Sequence, residues 1–188
     1  MNKKHIISLC GDLASGKGSV SKDLMERLGY GVYRNGQYAR ELAKKMNMNI
    51  TEFNIYVADH PEIDRQIEKS ASEYAKDHDN FIIDARLGWY AVPESFKIYL
   101  KVDIDVAAKR AFFDQEAERK DTEKFNTIEE QKEDMLKRYN LENERYYNLY
   151  NVRKDDMSNY DLVIDTTNLT VGETTEIIMK EYEKWLNN

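Results

Sequence analysis

One cysteine, three histidines and two prolines in 188 residues rule out several kinds of chemistry at the start. The lone thiol, Cys10, cannot close an internal disulfide, and its place at the end of an apolar run assigns it to packing. His5, His60 and His78 stand too far apart for metal-ligand spacing and are read as surface or packing residues. No apolar run approaches the length of a membrane span and the N-terminus has no signal-type hydrophobic segment, so no membrane partner and a cytoplasmic location are expected. Basic residues are outnumbered, with a formal net charge of −7, which argues against a nucleic-acid-binding face built on clustered Lys and Arg. Repeats, low-complexity tracts and Pro/Gly-rich linkers are missing, and Pro61 and Pro93 fall at element edges, so one domain over residues 1–188 is expected.

What the chain does have is charge, 34% of its residues, with a mean hydropathy of −0.78. A hydrophobic content of 41% still fills a core, and long helices with charged outer faces reconcile the two figures. The informative stretch lies near the start. His5-Ile6-Ile7-Ser8-Leu9-Cys10 reads as a buried strand, Gly11-Asp12-Leu13-Ala14-Ser15-Gly16-Lys17-Gly18-Ser19 as a glycine turn, and Val20–Leu28 as a helix. Such a turn points consecutive backbone N–H groups inward at the positive end of a helix dipole, which makes a cradle for a polyphosphate. Lys17 adds a point charge for the β- and γ-phosphates, and a hydroxyl one turn into the helix can ligate Mg²⁺.

Further along, Gly29 caps the first helix, Tyr30–Tyr33 reads as a strand, and Asn35 is a candidate N-cap for a helix running to about Met46. Helical periodicity over Thr51–Ala58 and Glu62–Ala75, with Thr51 and Asp59 as candidate caps, describes a small helical lobe over about 36–77. Phe81-Ile82-Ile83-Asp84 is a short apolar strand, and Asp84 and Arg86 therefore fall at a carboxyl edge, where parallel α/β sheets gather ligands. Lys97–Val102 is another strand, and Asp105 is read as the cap of the next helix. The polar, non-periodic stretch 118–126 reads as a lid, set within about 114–128, before Thr127-x-x-Glu130 opens a long helix to about Tyr150. Arg138, Glu142 and Arg145 share one face of that helix, either as two arginines held apart by a carboxylate in an anion clamp or as an exposed salt-bridged surface. Tyr139, Tyr146 and Tyr150 form a neighbouring stripe assigned to packing, Leu162–Asp165 is the last strand, and Thr170-x-x-Glu173 caps a C-terminal helix to about Trp185. Strands alternating with helices define an α/β fold, a three-layer α/β/α sandwich around a parallel sheet of about five strands.

Taken together these pieces resemble the cytidylate kinase-like branch of the P-loop nucleoside monophosphate kinases. The resemblance rests on Gly11-x-x-x-x-Gly16-Lys17-Gly18-Ser19, Asn35-Gly36 with Arg40, Asp84-x-Arg86, Arg110 ahead of the lid, Arg138 with Glu142 and Arg145, and Tyr160–Thr166. It implies ATP held by Gly11, Ala14, Ser15, Gly16, Lys17, Gly18, Ser19 and Val20, with Mg²⁺ reached by Ser19 and, through water, by Asp84. It implies an acceptor nucleotide held by Asn35, Gly36, Arg40, Arg86, Arg138, Glu142 and Arg145, with Arg110 and Arg119 on the side that closes over ATP and Thr167 beside the adenine. Lys17, Asp84, Arg86, Arg110 and Arg119 are the catalytic set on this reading. Two positions depart from the family pattern: Asn35 stands where related enzymes often carry a serine that touches the pyrimidine, and Leu87 where many carry an aspartate.

The reaction expected is transfer of the γ-phosphoryl group of ATP to CMP or dCMP, chemistry that needs positioning and charge stabilisation rather than a catalytic His or Cys. A kinase of another small hydroxylated metabolite, with Asp84 orienting the hydroxyl, is the alternative enzyme. A catalytically weak ATP-binding module is the alternative outside catalysis.

Overall fold

Every residue of β1 (Ile6–Gly11) is buried, and a strand covered on both faces belongs at the centre of a parallel sheet. The computed structural model, which describes residues 4–48, 52–53, 56–57, 59–113 and 125–187, places it there. β2 (Gly31–Arg34), β3 (Phe81–Asp84), β4 (Phe96–Lys101) and β5 (Leu162–Asp165) complete a five-stranded sheet in the order β2-β3-β1-β4-β5, all neighbours parallel. Successive side chains of β1 face opposite layers. Ile7 and Leu9 pack with Val20 and Leu24 of α1 (Lys17–Leu28) and with Ile178 and Tyr182 of α7 (Val171–Asn187). Ile6, with Ile83, meets Ala71 and Ala75 of α3 (Pro61–Asp77) and Val92, just past α4 (Gly88–Ala91), on the other side.

Because β3 and β4 flank β1 on opposite sides, the connections diverge there and open a crevice at its carboxyl end. Register brings Leu9, Asp84 and Arg34 into one row at that edge. Three further helices frame it: α2 (Asn35–Lys45), α5 (Ile104–Phe113) and α6 (Ile128–Tyr150).

Three caps differ from the sequence reading, the first being that of α3, whose N-cap is His60, with no side-chain bond, and not Asp59. Asn35 is the first residue of α2 rather than its N-cap, which is Arg34 with no side-chain bond, because the Asn35 side chain turns into the core. Asp103, not Asp105, caps α5, accepting from the backbone N–H groups of Asp105 and Val106 at 2.9 and 3.1 Å. The Thr170–Glu173 box is complete: Glu173 N donates to Thr170 Oγ1 and Thr170 N to Glu173 Oε2. His60 and His78 stack on Tyr56 and Tyr74, and Cys10 is buried with its thiol on the carbonyl of Arg86. Thr51 and, of the expected lid, residues 114–124 with Arg119 lie outside the described residues. Among the described residues no helix is long and apolar enough to cross a membrane.

Candidate active site at the carboxyl edge of the sheet

The turn after β1 is built by backbone demands. Gly16 sits at φ 85°, a left-handed conformation that favours glycine, with Ala14 at φ 56°. Gly11 is needed for a different reason: a Cβ there would lie 2.6 Å from the carbonyl oxygen of Leu100 on β4. Asp12 fastens the turn to that strand, its carboxylate accepting from Tyr99 Oη at 2.6 Å and from Val102 N at 3.0 Å. Within the loop, Ser15 Oγ is buried without a hydrogen-bond partner among the described residues, a polar atom that a phosphate oxygen would satisfy.

Around this turn lies a cavity of about 580 Å³ lined by residues 12–19 together with Asp84, Arg86, Arg110, Gln131, Met135 and Arg138. Lys17 forms an ion pair with Asp84, whose other oxygen lies 3.8 Å from Arg34 Nε. Arg110 is anchored by the carbonyls of Thr166 and Thr167, to which Nη2 donates at 2.9 and 3.1 Å. Arg86 donates to the carbonyl of Gly11 and lies with Nε 3.2 Å from Glu142 Oε2. Each guanidinium is thus held by the chain before any anion arrives.

The expected clamp on α6 is rearranged. Glu142 does not hold Arg138 and Arg145 apart; it binds Arg86 and the buried ammonium of Lys154, which also lies 4.7 Å from the Tyr139 ring centroid. Burial alone would raise the Glu142 carboxyl, but Arg86 and Lys154 outweigh it and hold it down at about 2. Arg145 Nε instead lies 3.0 Å from Asp64 Oδ2 in an ion pair without hydrogen-bond alignment, and Arg138 Nη1 lies 3.8 Å from Asp134. Of the tyrosine stripe, Tyr146 is core against Cys10, Leu87, Trp89 and Tyr99, whereas Tyr139 and Tyr150 also donate to Asp155 and Asp64.

Ala14 through Ser19, Asp84, Arg86, Arg110 and Arg138 therefore share the cavity lining. Val20 points its side chain into the core and gives its N–H to Gly16, and Leu87 is fully buried, so neither side chain faces the cavity. Thr167, Asn35, Gly36, Arg40, Glu142 and Arg145 stand off the lining, Arg40 exposed on α2 and Asn35 buried. Asp12, Asp64, Glu68 and Lys154 escaped sequence reasoning. Asp64 and Glu68 had a signal, since they fall in line with Ala71 and Ala75 on the buried side of α3, where a carboxylate is out of place.

A parallel sheet whose central strand runs into a glycine loop, with a lysine, an acid and three guanidinium groups around one cavity, defines a P-loop kinase. Residues 7–136 match the family model described as AAA domain. A cytidylate kinase from Thermoplasma acidophilum is 35% identical over 164 residues, 85% of this chain and 82% of that one, and a cytidylate kinase from Thermoplasma volcanium is 32% identical over 95% and 91%. A shikimate kinase crystal structure from Bacteroides thetaiotaomicron superposes with a TM-score of 0.66 at 13% identity, covering 95% of this chain and 98% of the other, a likeness of fold. The chain belongs to the cytidylate kinase family of P-loop kinases.

Proposed function

We propose that this protein transfers the γ-phosphoryl group of ATP to an α-phosphate oxygen of CMP or dCMP, leaving ADP and the nucleoside diphosphate. The observation that carries the reading is the convergence of Arg86, Arg110 and Arg138 with Lys17 on a single cavity, since the three arginines come from three separate segments. The transferring group spreads negative charge over its equatorial oxygens, and guanidinium groups already fixed by carbonyls and Glu142 meet that charge without reorganising. The loop N–H groups hold the donor phosphates, and Lys17 exchanges Asp84 for phosphate oxygens. Arg110 sits on the donor side, near Thr167. Arg86 and Arg138 take the acceptor phosphate. Arg145, tied to Asp64, belongs to the nucleoside side with Asn35. Ser19 and Asp84, both on the lining, would hold Mg²⁺, which supplies charge neutralisation between the phosphates.

The purified protein is tested with ATP and a panel of CMP, dCMP, UMP, AMP and small alcohols including shikimate, with ADP and phosphorylated product both measured. Diphosphate from CMP or dCMP is expected. Product from the alcohols alone, or ATP binding with no product, overturns the reading.

A further inference from the structure

A buried acid whose hydrogen-bond partner is an amide is left unused by the transfer just described. Glu68 on α3 is 8% exposed and Asn35, opening α2, is 7% exposed; Asn35 Nδ2 donates to Glu68 Oε2 at 3.1 Å. Asn35 Oδ1 is buried and has no hydrogen-bond partner among the described residues. An unmet acceptor beside an acid, both removed from water, costs stability unless something else answers it.

The pair is off the lining of the phosphate cavity but close to residues on it. Asn35 follows Arg34, which is in register with Asp84 on the cavity lining, and Arg86 of the same lining acts electrostatically on Glu68. The groups that face the Glu68 carboxyl are Asp64 on its own helix, Tyr33 on β2, Arg86 after β3, and Glu142, Arg145, Tyr146 and Tyr150 on α6. Burial first, then the charge of Asp64, push the carboxyl up to about 8, so at neutral pH it carries its proton. Oε2 accepts from Asn35, which leaves the proton on Oε1 as a donor.

We propose that Asn35 Oδ1 and the Glu68 carboxyl read the base of the acceptor nucleotide, the amide oxygen taking the N4 amino group of cytosine and the acid donating to N3. An acceptor set beside a donor complements cytosine and opposes uracil, which presents a carbonyl at position 4 and an N–H at position 3. Glu68 is thereby a specificity-determining residue. This inference rests on the nucleoside monophosphate kinase reading above.

Steady-state kinetics with CMP and UMP at saturating ATP, over about pH 6.5–9.5, test it on the wild type, Asn35→Ala and Glu68→Gln. In the wild type, KM for CMP rises about tenfold as pH passes about 8 and the acid loses its proton, while KM for ATP does not follow. Glu68→Gln, whose amide still donates toward N3 and accepts from Asn35, keeps the CMP preference and loses that pH dependence. Asn35→Ala lowers the CMP-to-UMP ratio of kcat/KM by about tenfold, through KM more than kcat. A wild type that prefers UMP, a ratio unmoved in Asn35→Ala, or one pH profile shared by the wild type and Glu68→Gln overturns the base-reading role while leaving the kinase standing. Absence of product from every nucleoside monophosphate defeats the kinase reading and this one with it. If circular dichroism shows Asn35→Ala unfolded, the wild-type and Glu68→Gln profiles still decide.

Discussion

The two sides of the cavity are made of different materials. On the side proposed for the donor the loop after β1 would offer its backbone N–H groups, and Arg110 leans on the carbonyls of Thr166 and Thr167. On the side proposed for the nucleoside the structure is carried by side chains paired with side chains: Glu142 between Arg86 and Lys154, Asp64 with Arg145 and Tyr150, Glu68 with Asn35. Backbone recognition suits a phosphate common to every donor, whereas side-chain networks can be altered one residue at a time to suit a particular base. Mutations on the first side should therefore cost catalysis without stability, whereas those on the second should change stability as well.

Replacing Lys17 with Met is the sharpest test of the donor side. Turnover should fall by about 10³-fold, as for loss of a charge aimed at the transferring group, with an unchanged circular dichroism spectrum. A variant that turns over normally would break the comparison at its stronger end. Across the cavity, Glu142→Gln leaves Arg86 and the 2% exposed Lys154 without their shared counter-charge. A loss of about 3–5 kcal/mol is expected in urea unfolding, with Tm lower by about 10 °C. Because the folded Glu142 is held down at about 2, its stabilisation is complete above the ordinary carboxylate range and disappears as pH falls through about 2. The gap between wild type and variant should accordingly close in acid.

Glu68 carries the opposite sign. Its folded carboxyl titrates at about 8, above the usual 4.5, so the folded state is favoured at low pH and loses stability as pH rises between those values. Glu68→Gln should match the wild type near pH 4 and exceed it at pH 9, by on the order of a few kcal/mol in urea unfolding. A difference between variant and wild type that is the same at both pH values would show that Glu68 ionises freely in the folded protein.

Legibility in the sequence follows the same division. The phosphate loop was readable because its geometry is enforced by adjacent residues, Gly11 through Ser19 between an apolar run and a helix. The sheet followed from periodicity, with Phe81–Asp84 and Leu162–Asp165 placed as observed, since buried parallel strands write themselves as short apolar runs. What was not readable depends on partners distant in the chain. Arg138, Glu142 and Arg145 do share a helix, but the helix could not say that Glu142 would turn to Arg86 and Lys154, the latter in a polar loop without periodicity. Asn35 reads equally well as a cap or an inward-facing amide until Glu68 is placed beside it. The cap of α5 went to Asp103 instead of Asp105 because two aspartates two residues apart offer the same chemistry and only backbone geometry selects one.

Arg138 tests where the boundary between the two sides falls. Its ion pair with Asp134 is long and partly exposed, so Arg138→Ala should cost less unfolding free energy than Glu142→Gln does. It should nevertheless lower kcat/KM for CMP by about 10²-fold, because its guanidinium lines the cavity. Thr170→Ala inverts that pattern. It removes the Oγ1 acceptor for Glu173 N at the start of α7, a cap on an exposed residue that stands off the cavity lining. About 1 kcal/mol should be lost, lowering Tm by about 2–4 °C, with kcat and KM for CMP unchanged. If KM for ATP rose instead, the loop that begins at Thr166 and holds Arg110 would be transmitting the helix start to the donor site, and the donor side would owe its order to a side-chain cap as well as to backbone.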